Sequence, residues 1–168
     1  DIAKNLRKAF FIASTGRKGP VVVDIPKNCQ SRNYFFDYDT NPDVKIRSYN
    51  PTVYGHKGQI KRAVNEILKA LHPVMLIGGG VVQGDATGEV YKIAKRLNLP
   101  VVSTLMGISG YPASDPNYLG MLGMHGTYAA NMTMHNSDLV IALGARFDDR
   151  VTNNVAKFCP EAKIIHVD

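Results

Sequence analysis

Residues 73–78 read Pro-Val-Met-Leu-Ile-Gly, a short apolar run that follows a histidine and ends at a glycine. Three later runs have the same character: residues 100–104 (PVVST), 138–144 (DLVIALG) and 163–168 (KIIHVD). Continuous apolar segments of this length are typical of strands that are buried on both faces of a parallel sheet.

The segments between these runs have helical periodicity. Apolar residues mark one face of a helix in each of two places, namely Ile60, Ala63, Val64, Ile67, Leu68 and Leu71, and then Val90, Ile93, Ala94 and Leu97. Alternating buried strands and amphipathic helices predict an α/β fold with a doubly wound parallel sheet, Rossmann-like in type. Such sheets commonly have five or six strands, so four predicted strands lead us to expect a domain that is incomplete at its C-terminus.

The first 55 residues follow a different pattern. Ile2, Leu6, Ala9, Phe10 and Ala13 define one helix face, which Gly16 is expected to terminate. Residues 20–26 (PVVVDIP) predict a further buried strand, and residues beyond it are rich in Asn, Asp, Tyr, Ser and Pro. We therefore expect a helix and strand in residues 1–30, a connector in 31–55 and an α/β domain in 56–168.

Composition excludes several classes of protein. The chain has 168 residues, 45% of them hydrophobic, and 20 Lys+Arg against 14 Asp+Glu give a formal charge of +6. No apolar run is long enough to cross a bilayer, so no membrane span is expected. The basic residues form no cluster, which disfavours a nucleic-acid partner. Cys29 and Cys159 have neither disulfide-framework nor zinc-ligand spacing, and a cytoplasmic location without a bound metal is the expectation.

Candidate binding residues follow the predicted strands, because ligands of open parallel sheets bind beyond the carboxyl ends of the strands. Gly78, Gly79 and Gly80 would let a phosphate or sugar approach the backbone, or would serve only a tight turn. The dinucleotide fingerprint G-x-G-x-x-G fails at Gln83, which disfavours a nicotinamide dehydrogenase.

The run at residues 144–150 (GARFDDR) carries two arginines and two aspartates. Arginine suits phosphate or carboxylate, although a surface ion-pair cluster is the alternative. Residues 118–135 alternate small residues with Leu and Met and could surround a flat ring. In that segment His125 is a proton donor or a structural residue. The methionines either line the site of the ring or belong to the hydrophobic core, and they are Met121, Met124, Met132 and Met134.

Four segments together resemble the acetolactate synthase (acetohydroxyacid synthase) catalytic subunit family: residues 16–30 (GRKGPVVVDIPKNCQ), 103–107 (STLMG), 119–127 (LGMLGMHGT) and 144–151 (GARFDDRV). The resemblance covers essentially the whole chain. It implies that residues 1–30 end a pyrimidine-binding domain and that residues 56–168 form a central domain that binds FAD, which is not a redox partner in the carboligation.

The resemblance also implies site residues. Expected FAD contacts are Arg17, Gly78, Gly79, Gly80, Thr104, Leu105, Met106, Leu122, Gly123, Met124, His125, Gly144, Ala145, Arg146, Asp148, Arg150, Val151 and Asp168. Expected substrate contacts are Lys27, Met124, Asp149 and Arg150, of which Arg150 would hold the carboxylate of the acceptor.

By the same resemblance, the family uses thiamine diphosphate and Mg²⁺ to decarboxylate pyruvate and to join the product to pyruvate or 2-oxobutyrate, a step in branched-chain amino acid biosynthesis. Its activating glutamate and metal motif lie outside these residues, so we expect no catalytic or metal-binding residue here and no synthase activity from this chain alone. Partners implied are 2-oxoacids, a homodimer or homotetramer, and a small regulatory subunit. Alternatives are another flavin-bearing carboligase, such as glyoxylate carboligase, and a non-catalytic nucleotide-binding module.

Overall fold

The computed structural model describes residues 2–33, 35 and 44–168. The chain divides into two compact units, Asp1–Gly55 and His56–Asp168. Part of the predicted connector, residues 34 and 36–43, lies outside the described residues.

The first unit contains helices α1 (Ile2–Ser14) and α2 (Lys27–Gln30). Gly16 follows α1 in the left-handed conformation, with φ +55°, as expected of a residue that terminates a helix. The Tyr49 hydroxyl donates to the Thr15 carbonyl at 2.8 Å, and its ring packs edge-on against Phe11, with 5.8 Å between centroids. These contacts attach the segment around Tyr49 to the end of α1.

The predicted strand at residues 20–26 is wrong for this structure. The segment has no regular secondary structure, and Val22 is 93% exposed. A parallel strand is stable only where its N–H and C=O groups pair with a neighbouring strand. Within the described part of the chain, residues 20–26 pair with no strand, so the apolar run alone does not produce one.

The second unit is built on a five-stranded parallel sheet, which confirms the predicted α/β, doubly wound fold. Its strands are β1 (Pro73–Ile77), β2 (Val101–Ser103), β3 (Tyr118–Met121), β4 (Leu139–Leu143) and β5 (Lys163–Val167), arranged in the order β3-β2-β1-β4-β5. Strand β3 was not predicted, so the expectation of four strands in this segment was wrong by one.

Helices and short 3₁₀ segments connect the strands. The helices are α3 (Lys57–Ile67), α4 (Gly79–Gln83), α5 (Thr87–Leu97), α6 (Tyr128–His135) and α7 (Asp149–Thr152), and the 3₁₀ segments are Leu105–Gly110 and Val155–Lys157. After α3, the Asp138 carboxylate accepts hydrogen bonds from the backbone N–H groups of Leu71 and His72 at 2.6 and 2.9 Å. This contact connects the residues just before β1 to the residue just before β4.

The two faces of the sheet have separate cores. Val74, Leu76 and Val140 pack on one face, and Met75 and Ile141 pack on the other. Because side chains alternate along a strand, burial of consecutive residues requires both faces to be covered. The loop methionines divide between core and surface: Met134 is buried within the first core, whereas Met124 is 63% exposed.

Candidate functional site at the carboxyl edge of the sheet

Every strand of the sheet leads directly into residues that the sequence singled out. Residues 78–80 follow β1, 104–106 follow β2, 122–125 follow β3, 144–146 follow β4, and Asp168 follows β5. All strands are parallel, so these five segments emerge at the same edge. The connections from β1 run towards β2 and β3 on one side, while β4 lies on the other side of β1, which makes the β1–β4 boundary the topological switch point.

At the switch point the two central loops touch through their backbones. Gly78 N–H donates to the Leu143 carbonyl at 2.9 Å, and Gly80 N–H donates to the Gly144 carbonyl at 3.0 Å. A Cβ on Gly80 would lie 2.6 Å from the Gly144 Cα, and Gly144 itself has φ +58°. The loop contact accounts for the glycines at both positions, and contact of Gly78–Gly80 with a nucleotide stays a prediction.

The arginine-rich segment after β4 is arranged by Asp148. The Arg146 guanidinium donates to the Asp148 carboxylate at 3.0 Å, and the same carboxylate caps α7 by accepting from Arg150 N–H at 3.2 Å. The side chains of Arg146 and Arg150 are 64% and 75% exposed. Because both side chains are exposed, both guanidinium groups are accessible to an anion. Their ion pairs contribute little to stability at such exposure.

Two aromatic contacts and one hydrogen bond support the backbone between these arginines. Phe147 has φ +54°, an uncommon conformation for a side chain of this size. Its ring lies edge-on to His166 and to Phe158, with centroid separations of 5.1 and 6.0 Å. His166 also contacts the Ala145 carbonyl through Nε2 at 2.7 Å. Sequence reasoning missed His166, and its place within a predicted strand carried no signal of this role.

The loop after β3 meets the segment that contains Arg150. Met124 N–H donates to the Arg150 carbonyl at 3.4 Å, and a Cβ on Gly123 would lie 2.6 Å from the same carbonyl oxygen. The structure thus brings together three of the four predicted substrate residues, Met124, Asp149 and Arg150. A cavity of about 310 Å³ lies beneath this contact, lined in part by Leu122, Gly123, Met124 and Val151.

The remaining predicted residues occupy several environments. Leu105 and Met106 begin a 3₁₀ segment and are 68% and 71% exposed, whereas Ala145 is buried. His125 and Asp168 are exposed. In the first unit, Arg17 follows α1 and Lys27 begins α2, and both are exposed.

Titratable groups around the site include one buried thiol. Burial raises the pKa of Cys159 to about 11, so this thiol is protonated and unreactive at neutral pH. Among the described residues, no group of three or more His, Cys, Asp and Glu side chains could hold a metal ion. The site offers exposed guanidinium groups and exposed apolar side chains at the carboxyl edge of the sheet, which are groups that bind a phosphate-bearing ligand with an aromatic ring.

Comparison with known protein families assigns this fold. Residues 60–168 match the family described as "Thiamine pyrophosphate enzyme, central domain". The chain belongs to this family. The match includes the whole sheet and every candidate binding residue of the second unit.

Relatives among thiamine pyrophosphate enzymes are similar over the entire chain. The acetolactate synthase large subunit of Haemophilus influenzae is 55% identical over 168 residues, and the isozyme 3 large subunit of Escherichia coli is 51% identical, in both cases over 100% of this chain. The Corynebacterium glutamicum large subunit is 46% identical over the same length. The chain spans 29% of the first two relatives and 26% of the third. The resemblance drawn from the sequence is confirmed.

Among residues 2–33, 35 and 44–168, no helix has the length and apolar character needed to cross a bilayer.

Proposed function

We propose that this chain is the central part of an acetolactate synthase catalytic subunit. The whole enzyme decarboxylates pyruvate and condenses the product with a second 2-oxoacid, pyruvate or 2-oxobutyrate. Similarity over all 168 residues to proteins named acetolactate synthase large subunit carries this proposal. The similarity extends over residues 1–59, which precede the central-domain match. It is therefore not confined to the domain that all members of the family share.

We further propose that FAD binds at the carboxyl edge of the sheet. The donor set fits the cofactor in three respects. The loops of residues 78–80 and 144–146 meet at the switch point of the sheet, the exposed Arg146 and Arg150 suit its diphosphate, and the exposed side chains of Leu105, Met106 and Met124 suit a flat apolar ring. When bound, FAD completes the site as a structural group and takes no electrons in the condensation.

The other residues of the FAD proposal are assigned by the resemblance of their sequence segments to the family. They are Arg17, Gly78, Gly79, Gly80, Thr104, Leu122, Gly123, His125, Gly144, Ala145, Asp148, Val151 and Asp168. Lys27, Met124, Asp149 and Arg150 are proposed to line the path of the 2-oxoacid, with Arg150 holding the carboxylate of the acceptor. Thiamine diphosphate activation and Mg²⁺ binding are assigned to residues outside this chain, and residues 1–30, 31–55 and 56–168 to the end of a pyrimidine-binding domain, a connector and the central domain.

The proposed setting is that of the whole enzyme: a cytoplasmic homodimer or homotetramer with a small regulatory subunit. The proposal is tested with the full-length protein supplied with thiamine diphosphate, Mg²⁺ and FAD. We expect acetolactate to form from pyruvate, and no comparable turnover of glyoxylate. Turnover of glyoxylate without acetolactate formation would assign the protein to another carboligase. A protein that binds FAD but has neither activity would favour a nucleotide-binding module.

The role of Arg150 has its own test in the same protein. Arg150→Gln removes the guanidinium fork, and we expect kcat/KM for pyruvate to fall at least about tenfold. Arg150→Lys keeps the charge but loses bidentate geometry and should recover only part of the activity. Arg96→Gln, an exposed arginine in the last turn of α5, is the matched control and should leave kcat/KM unchanged.

A further inference from the structure

The side chain of Asn131 makes three hydrogen bonds to the backbone of one loop. Its Oδ1 accepts from Gly123 N–H at 3.1 Å, and its Nδ2 donates to the carbonyls of Gly123 and Thr127, each at 3.1 Å. Asn131 lies in α6, eight residues beyond Gly123, so it connects a helix to the loop that precedes it. Both polar groups of Gly123 are thereby bound by one amide.

The loop held in this way lies between β3 and α6. Gly123 has φ +106°, a conformation that favours glycine, and Gly126 N–H donates to the Gly123 carbonyl at 2.9 Å. Thr127 closes the loop, since its hydroxyl donates to the Leu119 carbonyl at 2.6 Å and accepts from Ala130 N–H at 3.0 Å to cap α6. The loop conformation is therefore set mainly by hydrogen bonds to its own backbone.

Side-chain packing contributes little to the exposed part of the loop. Leu122 is buried, but Met124 is 63% exposed and His125 is exposed. The contact of Met124 N–H with the Arg150 carbonyl, at 3.4 Å, is the longest hydrogen bond of the group. Removal of the Asn131 amide would remove two hydrogen bonds from Gly123, which is the residue next to Met124 and the one packed against the Arg150 carbonyl.

We propose that Asn131 is a positioning residue for the cofactor site, fixing the backbone of residues 122–125 in the conformation that receives FAD. This inference rests on the proposed function, because FAD is the ligand assigned to that loop. Asn131 itself acts through the loop backbone. The role is distinct from general helix stability, since two of its three hydrogen bonds end on Gly123, outside the helix, and only the third ends on the N-cap residue Thr127.

The test compares Asn131→Ala with Asn136→Ala in the full-length protein. Asn136 follows the same helix and its Nδ2 donates to the Met132 carbonyl at 2.9 Å, so it is a matched asparagine that does not touch the loop. The measurements are the FAD dissociation constant, the visible circular dichroism of bound flavin, and the Tm of the FAD-free protein. We expect Asn131→Ala to raise the dissociation constant at least about tenfold and to alter the flavin dichroism, with Asn136→Ala unchanged.

Asn131→Asp supplies a second variant that retains the acceptor for Gly123 N–H and loses both donors. We expect an intermediate dissociation constant, and this variant tests the inference if Asn131→Ala does not fold. Wild-type affinity and dichroism in both Asn131 variants would overturn the inference alone, as would equal effects of Asn136→Ala. Failure of the wild-type protein to bind FAD would instead overturn the proposed cofactor, and this inference with it.

Discussion

The Ala145 carbonyl accepts a hydrogen bond from Nε2 of His166 at 2.7 Å, across 21 residues of sequence. Ala145 is 2% exposed, so water does not readily replace this donor. The pair connects β5 to the loop after β4, where Phe147 has its positive φ and the two arginines begin. The arginine-bearing segment is thus supported by the strand beside it.

His166→Phe tests this support. The phenyl ring keeps the edge-on contact with Phe147 but leaves the Ala145 carbonyl without its donor, which costs about 1–3 kcal/mol for a buried polar group. We expect the free energy of unfolding of the purified protein, measured by urea denaturation, to fall by this amount, with a lower urea midpoint. His166→Gln, which retains an N–H donor on a flexible side chain, should recover part of the loss. An unchanged midpoint for His166→Phe would show that the hydrogen bond makes no net contribution to the free energy of unfolding.

Gly144→Ala should be strongly destabilising. The new Cβ would lie 2.6 Å from the Gly80 Cα and the Val81 nitrogen, and φ +58° is unfavourable for alanine. Backbone strain and the clash together predict a loss of at least about 2 kcal/mol in the free energy of unfolding. Gly88→Ala is the control, because in α5 nothing lies within 4 Å of its Cβ, and it should be neutral or stabilise by up to about 1 kcal/mol. Thermal denaturation of both variants measures the contrast.

We expect the contribution of Asp138 to stability to be lost in acid. Hydrogen bonds from the backbone N–H groups of Leu71 and His72 lower the pKa of its carboxyl in the folded state, whereas the unfolded value is about 3.9. Its contribution is therefore present above about pH 4 and is lost as the pH falls through the folded-state pKa. Asp138→Asn should be less stable than wild type at pH 7, and the difference should narrow in acid. Urea midpoints measured from pH 7 to pH 3 test this, and a constant difference would contradict it.

For Tyr111 we expect a loss of stability at alkaline pH. Among the residues that the structure describes, its buried hydroxyl has no hydrogen-bond partner, and burial together with the Asp115 charge raises its pKa to about 12. Because the folded-state pKa exceeds the ordinary value of 10.0, the stability linked to this proton declines as the pH rises from 10 to 12.

Tyr111→Phe keeps the ring contacts with Tyr91 and Tyr118 and removes the unpaired hydroxyl. We expect stability at pH 7 to stay equal or to rise by up to about 1 kcal/mol, and the variant to gain on wild type above pH 10. Tm measurements at pH 7, 10 and 11 check both parts. A loss above about 1 kcal/mol at pH 7 would indicate that the hydroxyl has a partner in solution.

Continuous apolar runs predicted the central strands because β1, β2 and β4 are buried on both faces, so that nearly every residue in them is apolar. Strand β3 was missed because Gly120, with φ +97°, interrupts its four residues and the pairing with β2 shifts register between Val101 and Val102. The run at residues 20–26 shows the reverse error. Its apolar pattern equals that of a strand, but strand formation depends on partners that are distant in sequence.

The loop after the unpredicted β3 was found from its composition, and Asp168 from the resemblance. The strand-end rule located the segments after β1, β2 and β4, since parallel strands place their carboxyl ends at one edge. It could not find Asn131 or His166, whose contacts are with backbone atoms of loops 8 and 21 residues away. Such pairs depend on the folded loop conformation, and a helix asparagine or strand histidine has no distinctive pattern. The sequence therefore indicates which segments form the site, and the structure indicates what supports them.

The strand order also has a thermodynamic consequence. The site is assembled from segments that are up to 90 residues apart, from Gly78 to Asp168, and they meet only after all five strands have paired. A molecule bound across that edge interacts with the native sheet and with no partly folded form of it. Occupancy and folding are then a single linked equilibrium, in which the concentration of the ligand sets how much of the protein stays native.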